Sequence, residues 1–261
     1  MKRNAFRYTL MARWRPVVEN GIYHVMQRAP GDEKLFMDDG DRLHYLRLLK
    51  EAVDVHAFSV LAFVLMDNHV HLQMQILRAN LSEIMKDIDQ RYAQYFNRKH
   101  ERKGHVFQGR FRAALCDNER YLLAASMYIH LNPYKAGIAS VQEGYQWSSE
   151  KLYLQCGISS FVNAAFVLSC LDSDLEKARG YYGDAFIREI TKDEREVESG
   201  VYPAVVVNQL VNSLPLVFRS KLTASIRSGK QRARKDTDKA ALKKAIADLQ
   251  SDGYRPEQIC S

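Results

Sequence analysis

Residues 58–77 read F-S-V-L-A-F-V-L-M-D-N-H-V-H-L-Q-M-Q-I-L, and the fold turns on how this stretch is read. The run 58–66 is apolar nearly throughout and too rich in β-branched and aromatic side chains for a helix. Asp67-Asn68 follows, two residues that tolerate positive φ and suit a tight turn. Residues 69–77 resume as a strand, and two strands meeting at a two-residue loop make a β-hairpin. Side chains alternate along a strand, so His69, His71, Gln73 and Gln75 share one face. Val70, Leu72, Met74 and Ile76 share the other, which is apolar and expected to pack on helices.

Outward from this hairpin, residues 22–28 (I-Y-H-V-M-Q-R) read as a strand, ended by the turn signal Pro30-Gly31-Asp32. Residues 41–53 carry Leu43, Leu46, Leu49 and Val53 at helical spacing. Asn80 with Glu83 resembles a capping box, opening a helix whose stripe of Ile84, Ile88, Tyr92, Tyr95 and Phe96 leads to Lys99. Residues 109–116 read as a fourth strand. Asp117 or Asn118 then caps a helix expected to stop at Asn132, before Pro133. Residues 145–156 suggest a further short helix. The order β-α-β-β-α-β predicts an α+β fold: a ferredoxin-like split βαβ antiparallel sheet with helices on one face. Composition shifts after Gly157. Residues 158–198 look helical and acidic, 200–218 apolar, and 219–261 basic and helical in part. The expected division is a domain over 11–157 and a mostly helical extension over 158–261 with a basic C-terminal arm.

The chain has 261 residues, 46% of them hydrophobic and 26% charged, which suits a globular protein with a real core. No apolar run reaches the length of a membrane span, and no apolar segment follows Lys2, Arg3 and Arg7, so neither an anchor nor a secretory signal is expected. Cys116, Cys156, Cys170 and Cys260 form no C-x-x-C pair, which argues against a zinc ribbon or disulfide framework and fits a reducing, cytoplasmic setting. The net charge of +7 is clustered. Residues 98–112 hold six Lys/Arg against one acid, and 219–239 hold eight against two, whereas 172–198 hold nine acids against five bases. Two basic blocks fit solvated faces or contacts to a polyanion, and their clustering favours nucleic acid. The nominated DNA contacts are Arg98, Arg110 and Arg112 of the first block, Arg91 and Lys135 outside it, and Arg232, Arg234 and Lys235 in the C-terminal block.

Two constellations carry chemistry. His69 and His71, two apart on a strand, lie close enough to bind one metal ion, although an H-x-H pair also occurs as two half-exposed sheet histidines. No H-x-E or P-C-x-x-C pattern accompanies them, which argues against a zinc deaminase. Tyr128 and Asn132 stand at i and i+4 on a helix and face the same way, while His130 points elsewhere. A phenol titrates near pH 10 unperturbed, so it needs help to act as a nucleophile, and a nearby divalent cation supplies it. With 14 tyrosines in the chain, Tyr128 by itself reads equally as a core aromatic. Neutral imidazole is required for ligation, so activity is expected to fall below the ordinary histidine range, about 6.5.

Four blocks, in order, resemble a known family. Leu65-Met66-Asp67-Asn68-His69-Val70-His71-Leu72 resembles the L-M-x-N-H-x-H-L block of the HUH single-tyrosine transposases, the group that includes the REP-associated tyrosine transposases. Gly104-His105-Val106-Phe107-Gln108-Gly109-Arg110-Phe111 resembles their G-x-x-F-Q-x-R-F block. Tyr128-Ile129-His130-Leu131-Asn132-Pro133 with Lys135-Ala136-Gly137 resembles Y-I-H-x-N-P-x-[KR]-A-G. Tyr145-Gln146-Trp147-Ser148-Ser149 matches Y-x-W-S-S. Met11-Ala12-Arg13 and Tyr23-His24-Val25 fit as well, whereas Arg28-Ala29-Pro30 replaces the usual Arg-Gly-Asn. The resemblance implies Mg²⁺ or Mn²⁺ held by His69 and His71, with Asn132 as a third polar ligand and Tyr128 as nucleophile. The implied reaction is cleavage and rejoining of single-stranded, hairpin-bearing DNA through a 5′-phosphotyrosine. Relatives occur as monomers and as dimers, so a homodimer stays open.

Two other readings stand beside this one. His69-Val70-His71-Leu72-Gln73 also resembles the strand motif of histidine-triad nucleotide hydrolases and transferases, in which a histidine is the nucleophile. The chain also fits a non-catalytic DNA- or RNA-binding regulator descended from a transposase.

Overall fold

The computed structural model describes residues 17–155, 159 and 161–191. The opening segment with Met11-Ala12-Arg13, the apolar stretch 200–218 and the basic block with Arg232, Arg234 and Lys235 lie outside the described residues. Four strands, β1 (Ile22–Arg28), β2 (Phe58–Met66), β3 (His69–Ile76) and β4 (Arg112–Leu115), form one antiparallel sheet in the order β2-β3-β1-β4. The long helices are α1 (Asp39–His56), α2 (Leu81–Lys99) and α3 (Glu119–Lys135), followed by α4 (Glu150–Leu154), α5 (Ala164–Leu168) and α6 (Leu175–Thr191). The expected β-α-β-β-α-β order and α+β class are those of the structure.

The capping box sits at the start of α1 and not of α2. Asp38 is extended (φ −146°, ψ 175°), its carboxylate accepts from Asp41 N–H at 2.9 Å, and Asp41 accepts in return from Asp38 N–H at 3.4 Å. That reciprocal pair satisfies two of the helix's free donors and starts it two residues before the expected Asp41. Asn80 makes no side-chain cap. Asn118 does, accepting from Tyr121 N–H at 2.9 Å. α3 continues through Pro133 to Lys135. A proline this near the end removes a single backbone donor, and Ala136 N–H still closes on the Asn132 carbonyl at 3.0 Å.

The hairpin turns at Asp67-Asn68, but neither residue takes a positive φ. The loop before α1 grips the turn instead: the Asp67 carbonyl accepts from Leu35 and Phe36 N–H (2.7 and 3.1 Å), and the Asn68 carbonyl from Ala29 N–H at 2.9 Å.

The expectation of helices on one face holds for α1 and α2 only. These two cover the face bearing Tyr23, Val25, Val60, Leu65, Val70, Leu72 and Met74. α3 lies across the opposite face, joined by α5 and α6, over Leu61, Ala62, Val64 and Met66. The cause is β2, which is apolar on both faces and would leave several large side chains in water if covered once. The outer edge of β2 is covered too, by residues 147–149: Leu65 N–H donates to the Trp147 carbonyl at 2.9 Å and Ser149 N–H to Phe63 at 3.0 Å. Phe166, Val167, Leu168, Tyr182 and Phe186 share one core with α3 and β2, so residues 161–191 pack directly on the sheet layer. Among the described residues no helix is long and apolar enough to cross a membrane.

Candidate active site

The strand alternation places Ile22, His24, Met26 and Arg28 of β1 on the face of β3 that carries His69, His71, Gln73 and Gln75. The register pairs Arg28 with His69, Met26 with His71 and His24 with Gln73. α3 is laid on this face by a buried hydrogen bond from Gln73 Nε2 to the Leu122 carbonyl at 2.8 Å. Two turns further along, Tyr128 comes over the histidines. Its ring centre is 5.4 Å from that of His71, edge-on at 89°, and 5.7 Å from that of His24. The His69 and His71 rings are 5.0 Å apart. The residues singled out from sequence, His69, His71, Tyr128 and Asn132, are thus brought together.

Asn132 ties the group. Its Nδ2 donates to the Tyr128 carbonyl at 2.7 Å, and its side chain also hydrogen-bonds His69 and the Tyr128 hydroxyl. Each candidate ligand has a partner on its inner nitrogen: Asn68 Oδ1 lies 2.7 Å from His69 Nδ1, and His24 Nε2 lies 2.9 Å from His71 Nδ1. Such partners orient an imidazole and set its tautomer. His24 and Asn68 escaped the sequence reading except as letters inside motif blocks. Period-two alternation puts His24 on a definite face of its strand, but only the register of β1 against β3 brings it to His71.

Electrostatics suits metal binding. Burial holds the protonation of His71 well below the ordinary histidine range, reinforced by neighbouring His24 and His69. Burial also lowers His69, with the Asn132 hydrogen bond opposing. Both are therefore neutral, the form that ligates, to a lower pH than the 6.5 expected from the unperturbed group. Burial raises the Tyr128 phenol above its usual range, only partly offset by Asn132. An unassisted Tyr128 thus ionises less readily than free tyrosine, and a nearby cation would offset this. Two neutral imidazoles and an amide oxygen fit a first-row divalent ion with open positions, Mn²⁺ more readily than Mg²⁺.

Other candidates separate. His130 points away, with Nδ1 2.9 Å from the Tyr182 hydroxyl and Nε2 2.8 Å from Ser149 Oγ, as a buried structural link. Arg112 pairs with Met26, which pairs with His71, so it stands in one cross-strand row with that histidine. Arg110 precedes it in a loop whose Gln108 N–H donates to the Arg28 carbonyl at 2.8 Å, and Lys135 ends α3. Arg91 and Arg98 are on α2, across the sheet from Tyr128, and the Arg91 guanidinium is paired with Glu51 and Asp87. Of the aromatics among the basic residues, Tyr92, Phe96 and Phe111 are core. Asp38, Asp41 and His100 also cluster. There Lys99 Nζ already bonds both carboxylates at 2.6 to 2.8 Å and takes a cation's place.

The site therefore sets a tyrosine on a helix above a histidine pair on a strand. Residues 17–132 match the family described as "Transposase IS200 like". A solved structure described as a REP-associated tyrosine transposase bound to a REP hairpin is similar over 54% of this chain and 82% of that one, with TM-score 0.47 and 15% identity. Nothing among the curated proteins matches the chain.

Proposed function

We propose that this protein cleaves and rejoins single-stranded DNA, with a divalent metal at His69, His71 and Asn132 and with Tyr128 as the nucleophile. The observation that carries the reading is the placement of Tyr128 over His71, with Asn132 bonded to both Tyr128 and His69. The Tyr128 oxygen attacks phosphorus, the bond from phosphorus to the 3′-oxygen breaks, and that oxygen leaves as a 3′-hydroxyl carrying a proton. The product is a 5′-phosphotyrosine, and attack by a second 3′-hydroxyl reverses the step and joins new strands. A bound Mg²⁺ or Mn²⁺ supplies Lewis-acid polarisation of the phosphate and favours phenolate. Asn132 holds Tyr128 against His69, while Arg28, Arg110, Arg112 and Lys135 supply phosphate contacts around the site. In this reading the chemistry belongs to residues 11–157, residues 161–191 brace α3 from outside, and the basic block 219–239 adds binding.

The test incubates labelled single-stranded DNA containing a hairpin with the protein and Mn²⁺ or Mg²⁺, then looks for a denaturation-resistant adduct. Wild type should form one and Tyr128→Phe none, with DNA affinity changed less than about twofold, since only a hydroxyl is removed. Full adduct from Tyr128→Phe, or undiminished cleavage in excess EDTA, rejects the assignment. Nucleotide hydrolysis without adduct would point to histidine-triad chemistry, and binding alone to a regulator.

A further inference from the structure

A cleft of about 760 Å³ opens beside the candidate active site, between the β2–β3 turn, the loop before α1 and the segment 136–147. The two share a wall. Asn68 lines the cleft while its Oδ1 lies 2.7 Å from His69 Nδ1. Ala136, on the other side, lines it one turn beyond Asn132. Nothing in the proposed reaction uses this space.

Its lining is specific in kind. Trp147 and Tyr145 are half-buried aromatics held to the edge of β2: the Trp147 carbonyl accepts from Leu65 N–H, and the Tyr145 hydroxyl donates to the Leu65 carbonyl, both at 2.9 Å. The Arg42 guanidinium lies 5.6 Å from the Trp147 ring centre and pairs with Asp67; its side chain is only 9% exposed, and its Nε has no hydrogen-bond partner among the described residues. Lys34, Arg42 and Lys151 are balanced by Asp32, Asp67 and Glu143, so the wall is close to neutral. A track for phosphates is one-sidedly basic. A neutral wall with aromatic rings, donors and acceptors suits a base, which stacks on its face and bonds along its edge. The volume lies in the range of small-ligand sites.

We infer that this cleft receives one unpaired nucleobase of the DNA substrate, from a nucleotide flanking the scissile phosphate, stacked against Trp147. The inference rests on the reading of the neighbouring site as a DNA nuclease, but base capture needs neither the Tyr128 hydroxyl nor metal. It is therefore tested by binding alone, in EDTA, on the full chain carrying Tyr128→Phe. The tryptophans are Trp14 and Trp147. Trp14→Phe leaves Trp147 as the reporter. Short oligomers of dA, dC or dT should quench its fluorescence, at least one strongly, whereas an abasic oligomer of the same length should not. Trp147→Ala should weaken binding of the quenching oligomer by roughly 5- to 150-fold, the worth of one stacked base, and leave abasic affinity unchanged. Trp147→Phe, which keeps a ring and the packing, should retain most of the affinity.

Three outcomes overturn the inference. One is equal quenching by base-bearing and abasic oligomers. Another is equal loss of affinity for both in Trp147→Ala. The third is a free mononucleotide that competes as well as the oligomer, which makes the cleft a nucleotide site unconnected with DNA. A failed adduct assay beside base-dependent quenching would reject the nuclease chemistry and keep the cleft.

Discussion

Replacing His24 by leucine isolates the hydrogen bond behind His71. In the folded protein His24 Nε2 lies 2.9 Å from His71 Nδ1, and both rings are buried. Leucine keeps the volume approximately and removes the partner. The stranded imidazole nitrogen then costs about 1–3 kcal/mol. At about 1.4 kcal/mol per tenfold, that corresponds to a loss of metal affinity of roughly 5- to 150-fold, which spans the usual 10- to 100-fold for removing a group that orients a metal-bound histidine. The assay is a Mn²⁺ titration by calorimetry, run beside adduct formation as a function of Mn²⁺ concentration. Both midpoints should move together, and adduct yield at saturating Mn²⁺ should recover most of the wild-type value. Thermal unfolding separates this from a general packing defect. A lowered Tm with an unmoved Mn²⁺ midpoint would refute the reasoning and leave His24 a structural residue.

Acid should destabilise the fold. Burial pushes the protonation of His24 down to about 4 and that of His130 down to about 3, while both titrate near 6.5 when unfolded, so the unfolded chain binds more protons in between. Their contribution is complete above pH 6.5 and is lost as pH falls toward 4, at roughly 1.4 kcal/mol per pH unit for each histidine; urea unfolding at pH 7 and pH 5 measures it, and His130→Gln should flatten the slope. Arg112→Ala, in the cross-strand row of His71, should weaken binding to single-stranded DNA and flatten its salt dependence by one contact, about 0.7 in log–log slope, whereas Arg91→Ala, on α2 across the sheet, should do neither. Truncation before Arg219 should lower the salt slope by roughly 2 to 3.5, for three to five lost phosphate contacts, with cleavage at saturating DNA retained; an unchanged slope would show that the basic block does not touch DNA.

What was legible in the sequence followed local periodicity. The alternation through His69–Ile76 sets which side chains share a face, and the apolar run 58–66 marks a strand. That same run also carried the sign of burial on two faces, since neither of its faces is polar, yet helices were expected on one side only. The missing step is tertiary: nothing local says that α3 must return across the sheet to cover Leu61, Val64 and Met66. Asp67-Asn68 was correct as a turn but for another reason, because contacts from residues 29–36 hold it where positive φ was expected to. The capping signal at Asn80 was less informative than Asp38 with Asp41, where aspartate plays the part usually given to glutamate. In the candidate site, i and i+4 spacing joined Tyr128 to Asn132 and i and i+2 joined His69 to His71. The approach of the two pairs, and of His24, depends on strand register and helix docking, which only the assembled core determines.

The docking bond between Gln73 and the Leu122 carbonyl lies six residues from Tyr128 along α3, a lever arm of about 9 Å at 1.5 Å per residue. A pivot of roughly 6° about that point moves the phenol by about 1 Å, a displacement that can change a rate by about a hundredfold. Side chains far from the histidines therefore govern aim. Phe166, Tyr182 and Phe186, which brace the outer side of α3, act as the stops of this lever. Substitutions among them should therefore shift Tyr128 and Asn132 together relative to His69 and His71, which the strand holds.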